Sequence, residues 1–281
     1  SAVPCEAERQ AWLRLLLMRP KFPTAALKHI ELWLFPRRCP FCGGLLGADA
    51  LHGTVCPNCA EEEAQLRHIP PRLPEGDHDF YAVKEAAAAY YYEGIVRSAI
   101  LRCKRGGCPW FARELADRVA VLVFGALPAH AVGEQPEYLG SVTMPLYSCI
   151  VPVPPRQPRP GVPGLPLLLA RRLGKVLGVP VETPLYLKNP GRPQKELTRE
   201  ERLRNAKGAF ACQSGADLSG KRVLLVDDII TTGATVSACA MALMQAGAVD
   251  VTVVSIAAAE ERADGKEKTN RKRKKPSLFQ G

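Results

Sequence analysis

The most chemically explicit stretch of the chain is Val223-Leu-Leu-Val-Asp227-Asp228-Ile-Ile-Thr231-Thr232-Gly233-Ala234-Thr235. Residues 222–226 read as a strand whose unbroken apolar run marks a central parallel strand buried on both faces. In open α/β sheets, ligands bind beyond the carboxyl ends of such strands. The helix that follows offers unpaired N–H groups and the positive end of its dipole to a phosphate. Gly233 permits close backbone approach, Ala234 adds no bulk, and Thr231, Thr232 and Thr235 add hydroxyl donors. Carboxylates repel an anion but accept hydrogen bonds from vicinal hydroxyls. The string therefore fits a sugar 5-phosphate, with phosphate on residues 231–235 and the 2- and 3-hydroxyls on Asp227 and Asp228. A P-loop needs a lysine where Ala234 stands, and no G-x-G-x-x-G follows an early strand. A surface turn with two solvated acids explains any one of these residues but not the whole string.

A second constellation is Cys39-Pro-Phe-Cys42 and Cys56-Pro-Asn-Cys59, two CxxC pairs with 13 residues between them. Each turn brings two sulfurs together, and two turns can place four thiolates at the corners of a tetrahedron. Pro40 and Pro57 stiffen the turns, and Gly43-Gly44 lets the backbone fold over a metal. Four thiolates leave no open position, so bound Zn2+ would be structural. An iron–sulfur cluster uses the same ligands and stays open as an alternative. Two disulfides would need an oxidising compartment, and a redox CxxC normally stands alone at a helix start.

Between these motifs, the chain alternates strand and helix. Strands are expected at residues 86–92, 149–154, 181–188, 222–226 and 250–257. Helices are expected at 95–103, 110–124, 165–177 and 232–246, the last closed by Gly247. This order predicts an α/β fold, a parallel sheet with helices on both faces, behind a small N-terminal zinc-binding module. The expected divisions are a helical segment at 1–35, a four-cysteine zinc-binding module at 36–75, an α/β domain at 76–262 and a basic disordered tail at 263–281. Residues 67–79, with Pro70, Pro71 and Pro74, read as a linker, and residues 126–148 read as an insertion.

Composition bounds the rest. The 281 residues are 47% hydrophobic and 23% charged, enough for a real core, which excludes wholesale disorder. No uncharged apolar run reaches the ~18–20 residues of a membrane span. Arg9, Arg14 and Arg19 interrupt what could be a signal peptide, so a cytoplasmic location is expected. The net charge of +10 includes five consecutive positives at 271–275, either a solvated terminus or a phosphate-neutralising tail.

The acid–threonine string resembles the phosphoribosyl-pyrophosphate (PRPP) signature of type I phosphoribosyltransferases. With the CxxC module ahead of it, the chain resembles the ComF family, linked to bacterial competence and DNA uptake. Further resemblances are Phe35-Pro-Arg-Arg-Cys39, Tyr92-Glu-Gly94 through Lys104-Arg-Gly-Gly107, Val151-Pro-Val-Pro154, and the spaced Gln194, Arg202, Asn205 and Phe210. The resemblance implies PRPP held by Asp227, Asp228, residues 231–235 and Val153, with Mg2+ between ribose and pyrophosphate. It implies catalytic roles for Asp227 and Asp228, with Lys104 and Arg156 helping to offset charge on the leaving group. Arg192, Lys195 and Arg199 fall in a loop expected to close over the site. One departure stands out: where the family carries R-G-F-N-Q, this chain has Gly161-Val-Pro-Gly-Leu165, without the amide side chains. Two readings follow: an active transferase with a nitrogen acceptor, or a sensor or single-stranded-DNA-binding protein that keeps the site without turnover. Competence-machinery proteins are the implied partners of the second. A purely structural zinc adaptor leaves the acid–threonine string unexplained.

Overall fold

The computed structural model describes residues 37–47, 50, 53–74, 78, 80–105, 109–126, 146–158, 160–188 and 208–259. The helical segment 1–35, the loop carrying Arg192, Gln194, Lys195, Arg199, Arg202 and Asn205, most of the insertion and the basic tail lie outside the described residues.

The described elements, in chain order, are α1 (Pro57–Gln65), β1 (Glu85–Tyr91), α2 (Gly94–Arg105), α3 (Pro109–Phe124), β2 (Cys149–Pro152), α4 (Leu165–Leu177), β3 (Leu185–Leu187), β4 (Phe210–Cys212), β5 (Arg222–Ile230), α5 (Ala234–Gln245) and β6 (Asp250–Ala258). Four strands form one sheet in the order β1-β6-β5-β2, and every pair in it is parallel. β5 therefore lies inside the sheet, as its apolar run requires.

The pleat divides the core into two layers. Leu224, Val226, Val254, Ile256 and Ile150 face α2, α3 and α4. Val223, Leu225, Val251, Val253 and Val151 face α5 and a separate antiparallel ribbon of β3 and β4. The expected parallel sheet with helices on both faces is the observed one.

One helix is unexpected, and two local expectations need correction. Residues 57–65 form a helix absent from the expected elements; Cys56 caps it and Pro57 fills its first turn, where a missing N–H costs nothing. Residues 67–73 are not a free linker. Arg67 and Arg72 bridge antiparallel to Tyr90 and Ala87, and His68, Leu73 and Ala88 complete the hydrogen bonds, so this segment covers the outer edge of β1. The strand expected at 181–188 shrinks to β3, with Val181 bridged alone to Ile150.

The cysteine segment joins the same core as the sheet. Cys39, Phe41 and Cys59 pack with Tyr90, Ile100 and Leu115, and the Phe41 and Tyr90 rings meet edge to face at 5.6 Å. Glu63 of α1 is buried where α1, β1 and α3 meet. It accepts from Arg67 (2.7 Å), from the Tyr90 hydroxyl (2.6 Å) and from Arg118. Burial pushes this carboxyl up, but Arg67, Tyr90 and Arg118 outweigh it and hold it below the usual range.

Close packing also sets a small test. A Cβ at Gly174 in α4 would meet Val181 Cγ2 at 2.7 Å and the Val179 carbonyl at 2.8 Å. Alanine is the better helix former by about 1 kcal/mol, whereas overpacking costs about 1–3 kcal/mol. Gly174→Ala is expected to lower stability by about 1 kcal/mol in a urea titration. A more stable variant would refute the tight crossing.

Candidate functional site

The acid pair sits further along β5 than the sequence placed the strand end. β5 continues through Asp227 and Asp228 to Ile230, because β6 pairs with it as far as Ala258. Both acids are buried, 8% and 9% exposed. The pleat sends their side chains to opposite sides. Asp228 faces α2, where Lys104 Nζ reaches its Oδ1 at 2.8 Å. Asp227 faces α5 and accepts the Asp228 backbone N–H at 2.8 Å.

The electrostatics are unusual for two surface-type residues. Burial, then the neighbouring Asp228 charge, pushes the Asp227 carboxyl up to about 7. Burial also raises Asp228, against the pull of Lys104. Asp228 is thus ion-paired with Lys104, while burial and Asp228 outweigh the pull of Lys104 and Arg156 on Asp227.

The turn after β5 leads straight into α5. Gly233 is the N-cap of α5 with φ +82°, a left-handed conformation that favours glycine. Being a glycine, it offers no side-chain cap of its own to the first turn of α5. Thr232 Oγ1 lies 3.4 Å from the Ala234 amide. Thr231 is exposed, and Thr232, Ala234 and Thr235 are half-buried. α5 starts at Ala234, two residues after the expected start, and its end at Gln245 precedes Gly247, which follows the Ala246 cap.

The loop after β2 closes the other side. Val153 is buried, and its amide donates to the Val226 carbonyl at 2.9 Å, which lays this loop along the end of β5. Three residues on, the exposed Arg156 donates to Thr235 Oγ1 at 3.0 Å. Asp227, Asp228, Lys104, Val153, Arg156 and the 231–235 turn therefore converge from four elements. In the departure Gly161-Val-Pro-Gly-Leu165, residues 161–163 are exposed, Gly164 caps α4 without a side-chain bond, and Leu165 is buried as the first residue of that helix.

The four cysteines converge separately. Their Sγ atoms all lie within 4.8 Å of one another, and Cys42 and Cys56 sulfurs are 3.6 Å apart. A tetrahedron of four sulfurs around zinc, with bonds near ~2.3 Å, has edges of about 3.8 Å, so the donor set fits a zinc ion. The Gly44 amide donates to Cys42 Sγ at 3.3 Å and lowers that thiol's pKa. Burial raises Cys39 and Cys59. A divalent cation would supply the charge that lets all four ionise together. Gly43 turns the chain back at φ +79°, and a Cβ there would strike Phe111 at 2.9 Å.

Residues 167–278 match the family model described as Phosphoribosyl transferase domain. This match includes β5, the acid pair and the threonine turn; the cysteines, Lys104 and Arg156 precede it. It supports a phosphoribosyltransferase-type fold for the parallel sheet and its helices. No curated protein matches the chain. Among solved structures, glutamine PRPP amidotransferase from B. subtilis, complexed with ADP and GMP, is 27% identical over 38% of this chain, with a TM-score of 0.27. This chain spans only 22% of that protein's length. A purine phosphoribosyltransferase from Pyrococcus horikoshii Ot3 is 20% identical over 41% of this chain and 72% of its own, with a TM-score of 0.27. Adenine phosphoribosyltransferase from Saccharomyces cerevisiae is 17% identical over 71% and 89%, with a TM-score of 0.30. Superpositions this partial add nothing to the site's assignment. Among the described residues, no helix is long and apolar enough to cross a membrane.

The Glu62 and Arg102 contacts that tie the cysteine segment to α2 had no signal in residue spacing. They join elements that are distant in sequence through a backbone amide and a backbone carbonyl.

Proposed function

We propose that the chain binds PRPP or a related sugar phosphate at the end of β5. The observation that carries this reading is the buried Asp227–Asp228 pair, directly followed by a glycine-capped, threonine-rich helix start. Asp227 and Asp228 accept from the ribose hydroxyls. The amides and hydroxyls of residues 231–235 take the 5-phosphate. Lys104 and Arg156 lie where a pyrophosphate would bring charge, and Val153 forms part of the wall. Mg2+ bound with PRPP would offset charge on the departing pyrophosphate. The residues' own work is to bind, orient and neutralise; no side chain needs to act as a covalent nucleophile.

The test is calorimetry of PRPP with and without Mg2+. Wild type is expected to bind, and Asp228→Asn to weaken binding at least ~tenfold, because a charge-assisted acceptor is lost from a buried site. No binding heat from the wild type under either condition overturns the reading.

A binding site without efficient turnover is the second reading. The Gly161-Val-Pro-Gly-Leu165 segment supports it, since it carries no amide side chain. Release of pyrophosphate in the presence of nitrogen bases or amines would decide for the transferase. We further place the chain with ComF proteins of the cytoplasm, in DNA uptake or the handling of single-stranded DNA beside competence-machinery partners. The CxxC module ahead of the acid string and the net charge of +10 support this. Salt-dependent retention of single-stranded DNA, reduced by removing residues 271–275, is the corresponding test.

A further inference from the structure

The cysteine segment touches α2 at two points, and Lys104 rides on that helix. Near the start of α2, Glu62 Oε1 accepts the Ile95 amide at 3.0 Å. Gly94 lies so close that an added Cβ would fall 2.2 Å from the same oxygen. Glu62 is three residues beyond Cys59, on the helix that Cys56 caps. Near the end of α2, Arg102 donates to the Phe41 carbonyl at 2.9 Å, and its guanidinium stands 5.3 Å from the Phe111 ring centroid. Phe41 lies between Cys39 and Cys42. Each cysteine pair therefore holds one end of α2, at points about 10 Å apart along the helix. Two residues past Arg102, Lys104 makes the ion pair with Asp228.

The geometry points to metal occupancy of the cysteine cluster as the control on Lys104. A four-thiolate metal locks the Cys39/Cys42 half to the Cys56/Cys59 half, and α2 is strung between those halves. With the halves joined, the last turn of α2 presents Lys104 to the buried acid pair. With the metal gone, the Phe41 carbonyl shifts relative to Glu62, α2 loses a hold, and the part-exposed Lys104 is released from Asp228. Glu62 and Arg102 are thus positioning residues. The positioning claim stands on the contacts alone; only its consequence for affinity rests on the sugar-phosphate reading.

The experiment measures acetylation of Lys104 by acetic anhydride, read by mass spectrometry, alongside metal content and PRPP calorimetry in Mg2+. Stripping zinc with a zinc-selective chelator is expected to speed Lys104 labelling. Arg102→Ala avoids dismantling the module: it keeps one metal per chain yet is expected to label Lys104 severalfold faster and bind PRPP about tenfold more weakly, the loss of one charged hydrogen bond. Arg102→Lys restores part of both. Lys84→Ala, which breaks the ion pair to Asp250 at the far end of the strands, leaves Lys104 labelling unchanged. Equal Lys104 labelling in wild type and metal-loaded Arg102→Ala overturns the inference, as does unchanged PRPP affinity in a protein that binds it. If the wild type binds no PRPP, the function proposed above fails, and the labelling rates still decide the positioning.

Discussion

Replacing Cys59 with serine is expected to cost the protein its metal and to lower its Tm far more than an ordinary core substitution. Serine keeps the shape but gives a poor zinc ligand, and a three-thiolate remnant binds much more weakly. Structural zinc contributes about 10–16 kcal/mol in small zinc-finger peptides. Here part of that reaches the whole domain, because the cysteine segment is not a separate unit. Cys39, Phe41 and Cys59 share a core with β1, α2, α3 and α4. Four residues past Cys59, Glu63 gathers Arg67, Tyr90 and Arg118. Losing the metal loosens α1 and leaves Arg118 buried beside a disturbed carboxylate, a costly arrangement. A loss of more than about 5 kcal/mol is expected by urea unfolding, with metal content falling to background. Cys212→Ser, remote from the cluster, is the control and should cost little. Wild-type stability and metal content in Cys59→Ser would sink the structural-metal account. The absorption spectrum of the loaded protein separates colourless zinc from a coloured iron–sulfur cluster, the alternative the spacing leaves open.

The sequence reveals the site more readily than its supports, for physical reasons. Residues 223–226 announce a buried strand because each is apolar. The true strand runs four residues further because β6 pairs with it, and neither acid advertises that partner. Leu165–Leu177 has the expected bounds, since Leu165, Leu169 and Leu173 repeat at helical spacing on one face. α1 is hidden because Ala60-Glu-Glu-Glu-Ala64 shows no apolar stripe. Its helix is set by Pro57 at the first position and by what Glu63 binds across the fold. The prolines at 70, 71 and 74 suggest a linker, yet prolines suit an edge segment whose outward side needs no donor. β3 and β4 are three residues each and separated by a charged stretch, too short for an alternation to register.

The convergence of the site is legible only in part. Asp227, Asp228 and the 231–235 turn are contiguous, so one strand and one helix start suffice to place them. Lys104 and Arg156 come from α2 and from the loop after β2, and only the sheet order brings them to the same end. The side-to-side split of the two acids follows from the pleat alone. It changes the chemistry, because Lys104 pairs directly with Asp228 and acts on Asp227 only through its charge.

That split predicts opposite effects on stability and binding at one position. Asp227→Asn is expected to stabilise the unliganded protein and to weaken its sugar-phosphate binding. Unfolded, an aspartate ionises near its ordinary value of 3.8; folded, Asp227 is pushed up to about 7 by burial and by Asp228. Between these values unfolding releases a proton, so wild-type stability falls as pH rises through this window and levels off above about pH 7. Asparagine has no proton to lose and still offers an oxygen to the Asp228 amide. The variant's advantage should therefore grow by about 1.4 kcal/mol per pH unit across the window, reaching at most about 4 kcal/mol. Urea unfolding of both proteins near pH 5.5, 6.5 and 7.5 reads this slope. In PRPP calorimetry near pH 7.5, the same variant should bind several-fold more weakly, since one acceptor for the vicinal hydroxyls is lost. An advantage independent of pH would mean that Asp227 ionises normally in the folded protein. Unchanged affinity would remove it from the ribose. A more stable but weaker-binding variant is what a group kept for a ligand, at the expense of the fold, should give.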